Sequence, residues 1–446
     1  MSKQNAIAVF DIGKTNKKLL IFNEEYKVIF ERSLQFDEIK DEDGFPCEDI
    51  AALTEWIKNS VNDVLALQDV EIRAINFSAY GASFVHVDEK GNPVAPLYNY
   101  LKPFPEKLKR RFYAAYGGEI NFSKITASPV LGNLNSGLQL YRLKYERPDI
   151  FNKIHYSLHL PQYLSSIFTK KYYSDITSIG CHTALWDFTQ KKYHGWVHTE
   201  NIIDKLADIS SCNHSEKLYW KDKSLQIGIG MHDSSAALVP YLLSFKEPFV
   251  LLSTGTWNIS LNPFNGEPLT TDELQHDCLC YLTHENKPVK ASRLFAGHEY
   301  ELQVKRIAEH FNQENEKYSS VNFNSGLIER IRKNDAQELE TFSQRNLADF
   351  ADDEQAYYQL ISDLINAQIF STGLILNKEV NTIFVDGGFS KNSIFMHLLI
   401  RAFPKQKIFA ASVAQASALG AAMVIHEKWN GKNIPENVIN LRHYSH

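Results

Sequence analysis

Two short segments, about half the chain apart, repeat one plan and limit the fold more than any other feature of the sequence. Val9–Asn16 and Leu251–Asn258 each run from an apolar stretch to a small or acidic residue, then to a Gly among Thr and Asn, and into a second apolar stretch. This pattern predicts a strand, a tight turn and a second strand. The Gly permits a positive φ and a close approach of backbone to ligand, and the neighbouring donors suit anionic oxygens. Two such turns facing each other would hold a polyphosphate between two domains.

Length and charge fit an ordinary two-domain globular protein. The 446 residues exceed what one hydrophobic core usually supports, so two domains of roughly 200 residues each are expected. The 47 basic and 53 acidic residues leave a net charge of −6, which offers no general attraction for nucleic acid or for an anionic membrane. The N-terminus lacks the apolar core of a signal peptide, and no run approaches the ~18 apolar residues of a membrane span. A cytoplasmic location is therefore expected.

The cysteines indicate neither a disulfide framework nor a closed zinc site. The chain has five Cys, an odd number, and it is too large to need disulfide staples. His276–Cys280 contains three candidate metal ligands, but it lacks the second ligand pair that a closed zinc site requires. A metal at this cluster is therefore disfavoured.

Hydrophobic periodicity predicts alternating strands and helices in both halves, and so a mixed α/β class. In the first half, three strands over residues 6–11, 17–23 and 27–34 form a meander, and a helix over 49–68 and strands over 72–78 and 84–88 follow. In the second half, strands over 249–253, 257–262 and 382–385, a possible strand over 278–284 and helices over 297–311 and 354–376 repeat the plan. No low-complexity linker separates the halves, so a hinge is predicted near Leu225–Gly230.

Four segments in this order carry a resemblance to a known family. Asp11–Lys17, His232–Ala237, Ser253–Trp257 and Asp386–Asn392 resemble the motifs of the FGGY carbohydrate kinases, which belong to the superfamily of actin-like ATPases, sugar kinases and heat-shock chaperones. The resemblance spans residues 6 to about 425. It implies two ribonuclease H-like domains of the actin-like ATPase type around a central cleft, with residues 1–228 binding sugar and residues 229–446 binding nucleotide. The last helix is expected to pack back on the first domain.

The resemblance also implies roles for individual residues. Asp233 would accept the proton of the attacking sugar hydroxyl, and Asp11 would anchor Mg²⁺ directly or through water. An Asp at the start of a helix is usually only an N-cap, so the catalytic role rests on the family match. The resemblance assigns the ATP contacts to Gly13, Lys14, Thr15, Asn16, Lys17, Thr254, Gly255, Thr256, Gly297, Gly387, Gly388, Phe389 and Asn392. It assigns the sugar contacts to Tyr80, Gly81, Ala82, His232 and Asp233, although Tyr80 could equally be a core residue. Helices starting after both the Thr254–Thr256 and the Gly387–Phe389 segments would direct N–H groups towards the nucleotide.

These features predict an ATP- and Mg²⁺-dependent sugar kinase, a monomer or homodimer, whose partners are ATP and a small sugar. Among the subfamilies the chain is most similar to kinases of L-rhamnulose or L-fuculose. Ser78–Ser83 lacks the Gln and His found in many relatives, which leaves the sugar open. Two alternatives remain: a non-catalytic or ATPase-only actin-like protein, and a regulatory sugar-binding protein that has lost catalysis. The presence of His232 and Asp233 argues against the first alternative. Loss of Asp11 or Asp233 would mark the second, and this chain has both.

Overall fold

Two mixed β-sheets organise the chain. The computed structural model describes residues 3–220, 223–334, 341–413 and 415–444, and of residues 330–334 only the backbone. Within these residues each sheet has seven strands. The first sheet contains β1 (Gln4–Ile12), β2 (Lys17–Asn23), β3 (Val28–Leu34), β4 (Val70–Ala79), β5 (Ser215–Trp220), β6 (Lys223–Gly228) and β7 (Met231–His232). The second sheet contains β8 (Phe249–Thr254), β9 (Asn258–Asn262), β10 (Cys278–Leu282), β11 (Pro288–Leu294), β12 (Thr382–Gly387), β13 (Lys407–Ser412) and β14 (Asn440–Tyr444).

The two sheets share one topology. In the first, β1, β2 and β3 form an antiparallel meander, and β4 lies parallel to β1 on its other side. In the second, β8, β9 and β11 form the corresponding meander, and β12 lies parallel to β8. The strand orders are β5-β6-β4-β1-β2-β3, with β7 also on β4, and β10-β11-β9-β8-β12-β13-β14. The duplicated plan predicted from the two turns is therefore confirmed as a duplicated sheet.

Helices cover both faces of the sheets. Those of eight or more residues are α1 (Ile50–Leu65), α2 (Glu106–Ala115), α3 (Glu119–Thr126), α4 (Ser136–Glu146), α5 (Leu160–Thr169), α6 (Asp233–Ser244), α7 (Ala296–Phe311), α8 (Ser325–Asn334), α9 (Asp353–Ile375), α10 (Ser393–Ala402) and α11 (Ala416–Val424). The shorter α-helices are Pro148–Phe151, Ile176–Ile179, Gly195–Thr199, Thr271–Gln275 and His426–Trp429. Four pairs of short strands lie outside the sheets: Ile39–Lys40 with Pro46–Cys47, Phe84–Val87 with Tyr156–His159, Ser174–Asp175 with Ile209–Ser210, and Trp186–Asp187 with Lys192–Tyr193.

Local sequence explains the predicted helix over residues 49–68, which is α1. Asp49 caps it, because its Oδ1 accepts hydrogen bonds from the backbone N–H groups of Ala51 and Ala52 at 3.0 and 2.9 Å. Leu53 and Ile57, four residues apart, are both fully buried, as helical spacing requires for a stripe that faces a core. The stripe packs on the first sheet in a cluster that also contains strand residues of β1 and β4.

The crossed pair α6 and α11 lies between the two sheets. A Cβ on Gly420 of α11 would sit 1.8 Å from the carbonyl oxygen of Ala236 in α6, so the two helices touch backbone to backbone. The α11 helix packs against β1, β2 and β4. Ala236 and Tyr241 of α6 share a buried cluster with Phe249 of the second sheet. Helix α11 therefore packs on the first domain, and the chain returns to the second sheet at β14.

The predicted strand near 278–284 is present as β10 at the sheet edge, and the third strand of the second meander is Pro288–Leu294, which was not predicted. The predicted hinge near Leu225–Gly230 contains most of β6, and β7 still pairs with β4, so the chain leaves the first sheet only after His232. Helix α6, which follows directly, carries the chain to the second sheet. The boundary at residues 228 and 229 stays a prediction.

Candidate active site

Asp11 and Asp233 meet at the carboxyl ends of three adjacent strands. In the sheet register Asp11 of β1 lies opposite Ser78 of β4, and Met231 of β7 lies opposite Ser78 on the other side. Two residues after Met231, Asp233 forms the first residue of α6. Pairing of strands distant in sequence therefore places both carboxylates on one edge of the first sheet, as the family motifs require.

Both carboxylates are partly withdrawn from solvent; the Asp233 side chain is 33% exposed. Desolvation raises the pKa of Asp11 to about 6, and the negative charge of Asp233 raises it further. The hydrogen bond from Ser417 Oγ, at 2.8 Å, acts in the opposite direction and lowers the pKa. Desolvation likewise raises the pKa of Asp233 to about 6. Two hydrogen bonds oppose this rise, because Asp233 Oδ1 accepts from the N–H of Ser234 at 2.6 Å and from the Ser234 Oγ at 3.2 Å. His232 is the N-cap residue, and Asp233 therefore stands one position inside the helix. Two neighbouring carboxylates with poorly solvated negative charge suit a divalent cation with hard oxygen ligands.

His232 lies beside Asp233 in a cluster with Gly81, Cys181 and Tyr281, and we call this predicted sugar-binding region the His232 pocket. Its Nε2 lies 3.2 Å from Asp233 Oδ1 and 3.1 Å from Cys181 Sγ. Burial lowers the pKa of His232 to about 3, so the ring is neutral and its contact with Asp233 is not an ion pair. A Cβ on Gly81 would lie 3.0 Å from His232 Nε2, so only Gly fits this wall without displacing the ring. Tyr281 of the second domain stacks on the other face of His232 at 5.6 Å between ring centroids.

Two predicted ligand contacts, Lys17 and Tyr80, are instead internal. Lys17 is 2% exposed and its Nζ donates to the carbonyl oxygens of Gly13 and Lys14 at 3.1 and 2.9 Å. Lys17 also pairs with Glu48, whose Oε2 accepts a hydrogen bond from the Tyr80 hydroxyl at 2.5 Å. Glu48 therefore links the first turn to the predicted sugar segment. Neither polar group is directed at a ligand in this structure, and both predicted contacts are corrected to supporting roles.

Most of the other predicted residues of the first turn and of the sugar segment also make contacts within the protein. Lys14 Nζ pairs with Glu38 at 2.7 Å, and Asn16 Oδ1 accepts a hydrogen bond from Gln35 at 2.8 Å. Thr15 and Asn16 are exposed, and the N–H of Gly13 donates to the carbonyl of Asn16 at 2.9 Å, which closes the turn. Ala82 is 1% exposed with a positive φ of 61°, so it shapes the bend of the chain rather than the surface of the pocket.

Four segments of the second domain line a cavity of about 480 Å³. Its lining consists of Gly255, Thr256, Gly297, Tyr300, Glu301, Tyr318, Ser319, Val321, Gly388, Phe389, Lys391 and Asn392. The glycines have two different roles. Gly297 lets α7 approach the first segment, because a Cβ there would sit 1.8 Å from the carbonyl oxygen of Gly255. Gly388 faces open space, where a Cβ would meet nothing within 4 Å. The volume of this cavity and its lining of glycine and aromatic residues suit a nucleoside whose phosphates lie at the Gly255 turn.

Thr254 and Gly387 hold this cavity together without lining it. Thr254 Oγ1 donates to the carbonyl of Asp386 at 2.5 Å and accepts from the N–H of Phe389 at 3.0 Å. Gly387 has a φ of 90°, and a Cβ there would lie 1.8 Å from the carbonyl oxygen of Thr254. The strand β9 follows Thr256, so the prediction of a helix there is wrong. Helix α7 supplies the helix start instead, and its His298 N–H donates to the carbonyl of Thr256 at 3.1 Å.

Several residues of the site lie outside the motifs that the sequence analysis identified. Tyr300 and Tyr318 line the cavity from α7 and from the segment after it, and Tyr100 lies near enough to Asp233 for that charge to raise its pKa, although burial raises it more. Ser417 lies near the start of α11, between Ala416 and Ala418, and donates to Asp11 from there. Only its hydroxyl among neighbouring alanines could have indicated a contact with Asp11.

The fold is shared with solved carbohydrate kinases. A carbohydrate kinase from Novosphingobium aromaticivorans superimposes with a TM-score of 0.81 at 20% identity, over 99% of this chain and 94% of the other. Rhamnulokinase of Mannheimia succiniciproducens is 22% identical over 263 residues, 57% of this chain and 52% of that protein. L-fuculokinase of Escherichia coli (strain K12) is 22% identical over 272 residues, 58% of this chain and 56% of that protein. These matches span only about half the length of the curated relatives.

Family models match both halves of the chain. The N-terminal domain of the FGGY family of carbohydrate kinases matches residues 6–211, and the C-terminal domain of carbohydrate kinase FGGY matches residues 246–433. The chain belongs to the FGGY family of carbohydrate kinases. The family and the two-domain α/β fold predicted from the ordered motifs are confirmed. Among the described residues, no helix combines the length and apolar character needed to cross a membrane.

Proposed function

We propose that this protein is an ATP-dependent carbohydrate kinase that phosphorylates a hydroxyl of a small ketose such as L-rhamnulose or L-fuculose. The observation that carries the proposal is the pair Asp11 and Asp233, both partly withdrawn from solvent, at the edge of the sheet beside the His232 pocket. The glycine-lined cavity of the second domain supplies a place for the nucleotide. The kinases named for L-rhamnulose and L-fuculose among the relatives support the choice of acceptor.

In this proposal, the Asp233 carboxylate takes the proton from the attacking hydroxyl. A modest base within hydrogen-bond reach is sufficient, because the hydroxyl loses its proton late in phosphoryl transfer. With a pKa of about 6, Asp233 is largely ionised at neutral pH and yet more basic than an exposed carboxylate. The hydrogen bonds from Ser234 hold one of its oxygens in place. The neutral His232 contributes a fixed wall and adds no charge.

The remaining residues position the two substrates. Asp11 would hold Mg²⁺, whose chemistry is to neutralise charge on the phosphates. Ser417 orients the Asp11 carboxylate. The Gly255 turn and the start of α7, which touch backbone to backbone at Gly297, would lie against the phosphates. The buried Lys17–Glu48–Tyr80 link keeps the first turn and the pocket wall in a fixed relation, which favours a productive geometry.

ADP release tests the proposal directly. Purified protein with ATP and Mg²⁺ is incubated with L-rhamnulose, L-fuculose, D-xylulose, L-ribulose, glycerol or D-gluconate, and ADP is measured with a coupled assay. We expect one of the deoxy-ketoses to give the highest kcat/KM, and ADP release without sugar to be far slower. ADP release at one rate with and without every sugar would contradict the proposal and favour an ATPase-only protein.

The raised pKa values predict an acidic limb in the pH profile. A base must be ionised to accept a proton, so kcat/KM is expected to fall as the pH decreases through about 6, instead of through the ordinary Asp value of 3.8. Because Asp11 titrates in the same range, the observed values belong to the pair. The profile is measured from pH 4.5 to 8.5 at constant ionic strength, with enzyme stability checked at each pH. A profile that stays flat down to pH 5 would contradict this assignment.

A further inference from the structure

A largely buried arginine of the second sheet has no part in the chemistry above. Arg293 is the penultimate residue of β11, and its side chain is 15% exposed. Successive side chains of a strand alternate between faces, so Arg293 shares its face with Ala291. Ala291 belongs to the buried cluster that contains Tyr281 and the α6 residue Ala236. Arg293 therefore projects from the face of the second sheet that is directed at α6 and the first domain.

Two neighbours fix the direction of the guanidinium group. Its Nη2 lies 2.5 Å from Asp277 Oδ1, and the carbonyl of Asp277 accepts a hydrogen bond from the Arg293 N–H at 3.3 Å. Asp277 has a positive φ of 61°, an uncommon conformation for Asp. The guanidinium carbon also lies 5.4 Å from the ring centroid of Trp257, next to the Thr256 turn. Arg293 is thus held in one orientation in which its charge is balanced by Asp277.

One donor of this arginine remains unused. Arg293 Nε is buried, and none of the residues that the structure describes accepts a hydrogen bond from it. A buried donor without a partner costs about 1–3 kcal/mol, which a ligand oxygen would recover. Folded proteins rarely keep such a group on a side chain that is otherwise held from two sides. The unused Nε–H is therefore available to a ligand oxygen.

The charge of Arg293 reaches the walls of the His232 pocket. Burial raises the pKa of the Cys181 thiol, and the positive charge of Arg293 opposes that rise. The same charge lowers the pKa of His182, where burial is again the larger cause, and opposes the raised pKa of Tyr281. Cys181 contacts His232, and Tyr281 stacks on it. Arg293 is, by contrast, not among the residues that line the nucleotide cavity.

We propose that Arg293 is a specificity residue for the acceptor, and that its Nε–H donates to a hydroxyl or carbonyl oxygen of an uncharged sugar. The inference rests on the proposed kinase function and adds the class of acceptor. Because Asp277 already balances the guanidinium charge, the site offers a directed hydrogen bond rather than an excess of positive charge. A neutral polyol oxygen fits such a donor better than the carboxylate of a sugar acid.

Substitution of Arg293 separates acceptor binding from nucleotide binding. Arg293→Lys keeps the charge but removes the Nε donor, and Arg293→Met removes both. In each variant we expect the KM for the preferred sugar of the panel to rise about tenfold, as for the loss of one buried hydrogen bond, with the KM for ATP within twofold of the parent. Calorimetric titration of the same sugar without ATP should show the same loss. Arg73→Met, at an exposed strand position, is the matched control and should change neither value.

Each outcome decides the inference. If Arg293→Met does not fold because Asp277 is left unpaired, Arg293→Lys carries the test. A parent-like sugar KM in Arg293→Lys, with a raised KM for ATP or a lower kcat alone, would assign the arginine to the phosphate side and overturn the inference. A preference of the parent for D-gluconate would overturn the uncharged acceptor. A parent that phosphorylates no sugar would overturn the proposed function, and this inference with it.

Discussion

Asp233→Asn is expected to lower kcat by roughly 10² or more while the affinities for sugar and ATP stay within a few fold of the parent. The amide has nearly the shape of the carboxylate, and its oxygen can still accept the hydrogen bond from the Ser234 N–H. It cannot take a proton at neutral pH, and general-base assistance is typically worth ~10² to 10⁴ in rate. The loss should therefore fall on the chemical step and leave binding almost unchanged.

Steady-state kinetics with both substrates varied, combined with calorimetric binding of each, measure this effect. Asp204→Asn, at an exposed position of the first domain, is the matched control and should retain the parent kcat. A second consequence can be measured in the same variant. The negative charge of Asp233 contributes to the raised pKa of Asp11, so that pKa should decrease when the charge is removed. Normal turnover in Asp233→Asn would remove this residue from the mechanism.

The parts of the site that the sequence predicted are those set by the backbone. Gly81, Gly255, Gly297 and Gly387 each lie where a Cβ would approach another segment or where the chain must turn, and such positions follow from strand and turn patterns. Asp11 and Asp233 were found because they terminate or follow short apolar segments with family motifs. In both cases local sequence fixes the conformation, and the strand pairing then fixes the position.

The incorrect assignments concern side chains whose direction depends on a distant partner. Lys17 follows a turn where a solvated or ligand-facing lysine is plausible. Glu48, which comes directly after the short strand Pro46–Cys47 and belongs to no motif, pairs with it inside the protein. Tyr80 is committed to the same carboxylate. A charged pair removed from water must satisfy itself internally, and this requirement is visible only once the tertiary fold brings the partners together.

The nucleotide side shows the same limit. Tyr300 and Tyr318 line the cavity, but their spacing in the sequence resembles that of any buried aromatic residue. Arg293 lies on a strand that the periodicity did not predict, because a run with two basic residues among apolar ones lacks strict alternation. Pairing with β9 on one side and β10 on the other makes this segment a strand. The role of the two tyrosines and the strand that contains Arg293 both depend on the tertiary fold and could not be predicted from local sequence.

Gly297→Ala is expected to weaken ATP binding by at least tenfold and to destabilise the second domain by about 1–3 kcal/mol, in the range of overpacked substitutions. The added methyl carbon would lie 1.8 Å from the carbonyl oxygen of Gly255 and 3.0 Å from Thr256 Cα. Both contacts are backbone atoms, so no side-chain rotation can relieve them. Helix α7 must move away from the turn, which would also stretch the hydrogen bond from the His298 N–H to the carbonyl of Thr256.

Gly373→Ala in α9 of the same domain is the control for Gly297→Ala. Gly373 is an exposed glycine inside a helix, with no atom within 4 Å of an added Cβ, so Ala should stabilise the protein by roughly 0.5–1 kcal/mol through helix propensity. Thermal unfolding with and without ATP, and calorimetric titration of ATP and of the preferred sugar, measure the effects. Sugar binding should remain near the parent value in Gly297→Ala, because the His232 pocket does not include α7. Unchanged ATP affinity in a folded Gly297→Ala protein would show that the turn and α7 do not bind the nucleotide together, and the proposed phosphate site would have to be moved away from Gly255.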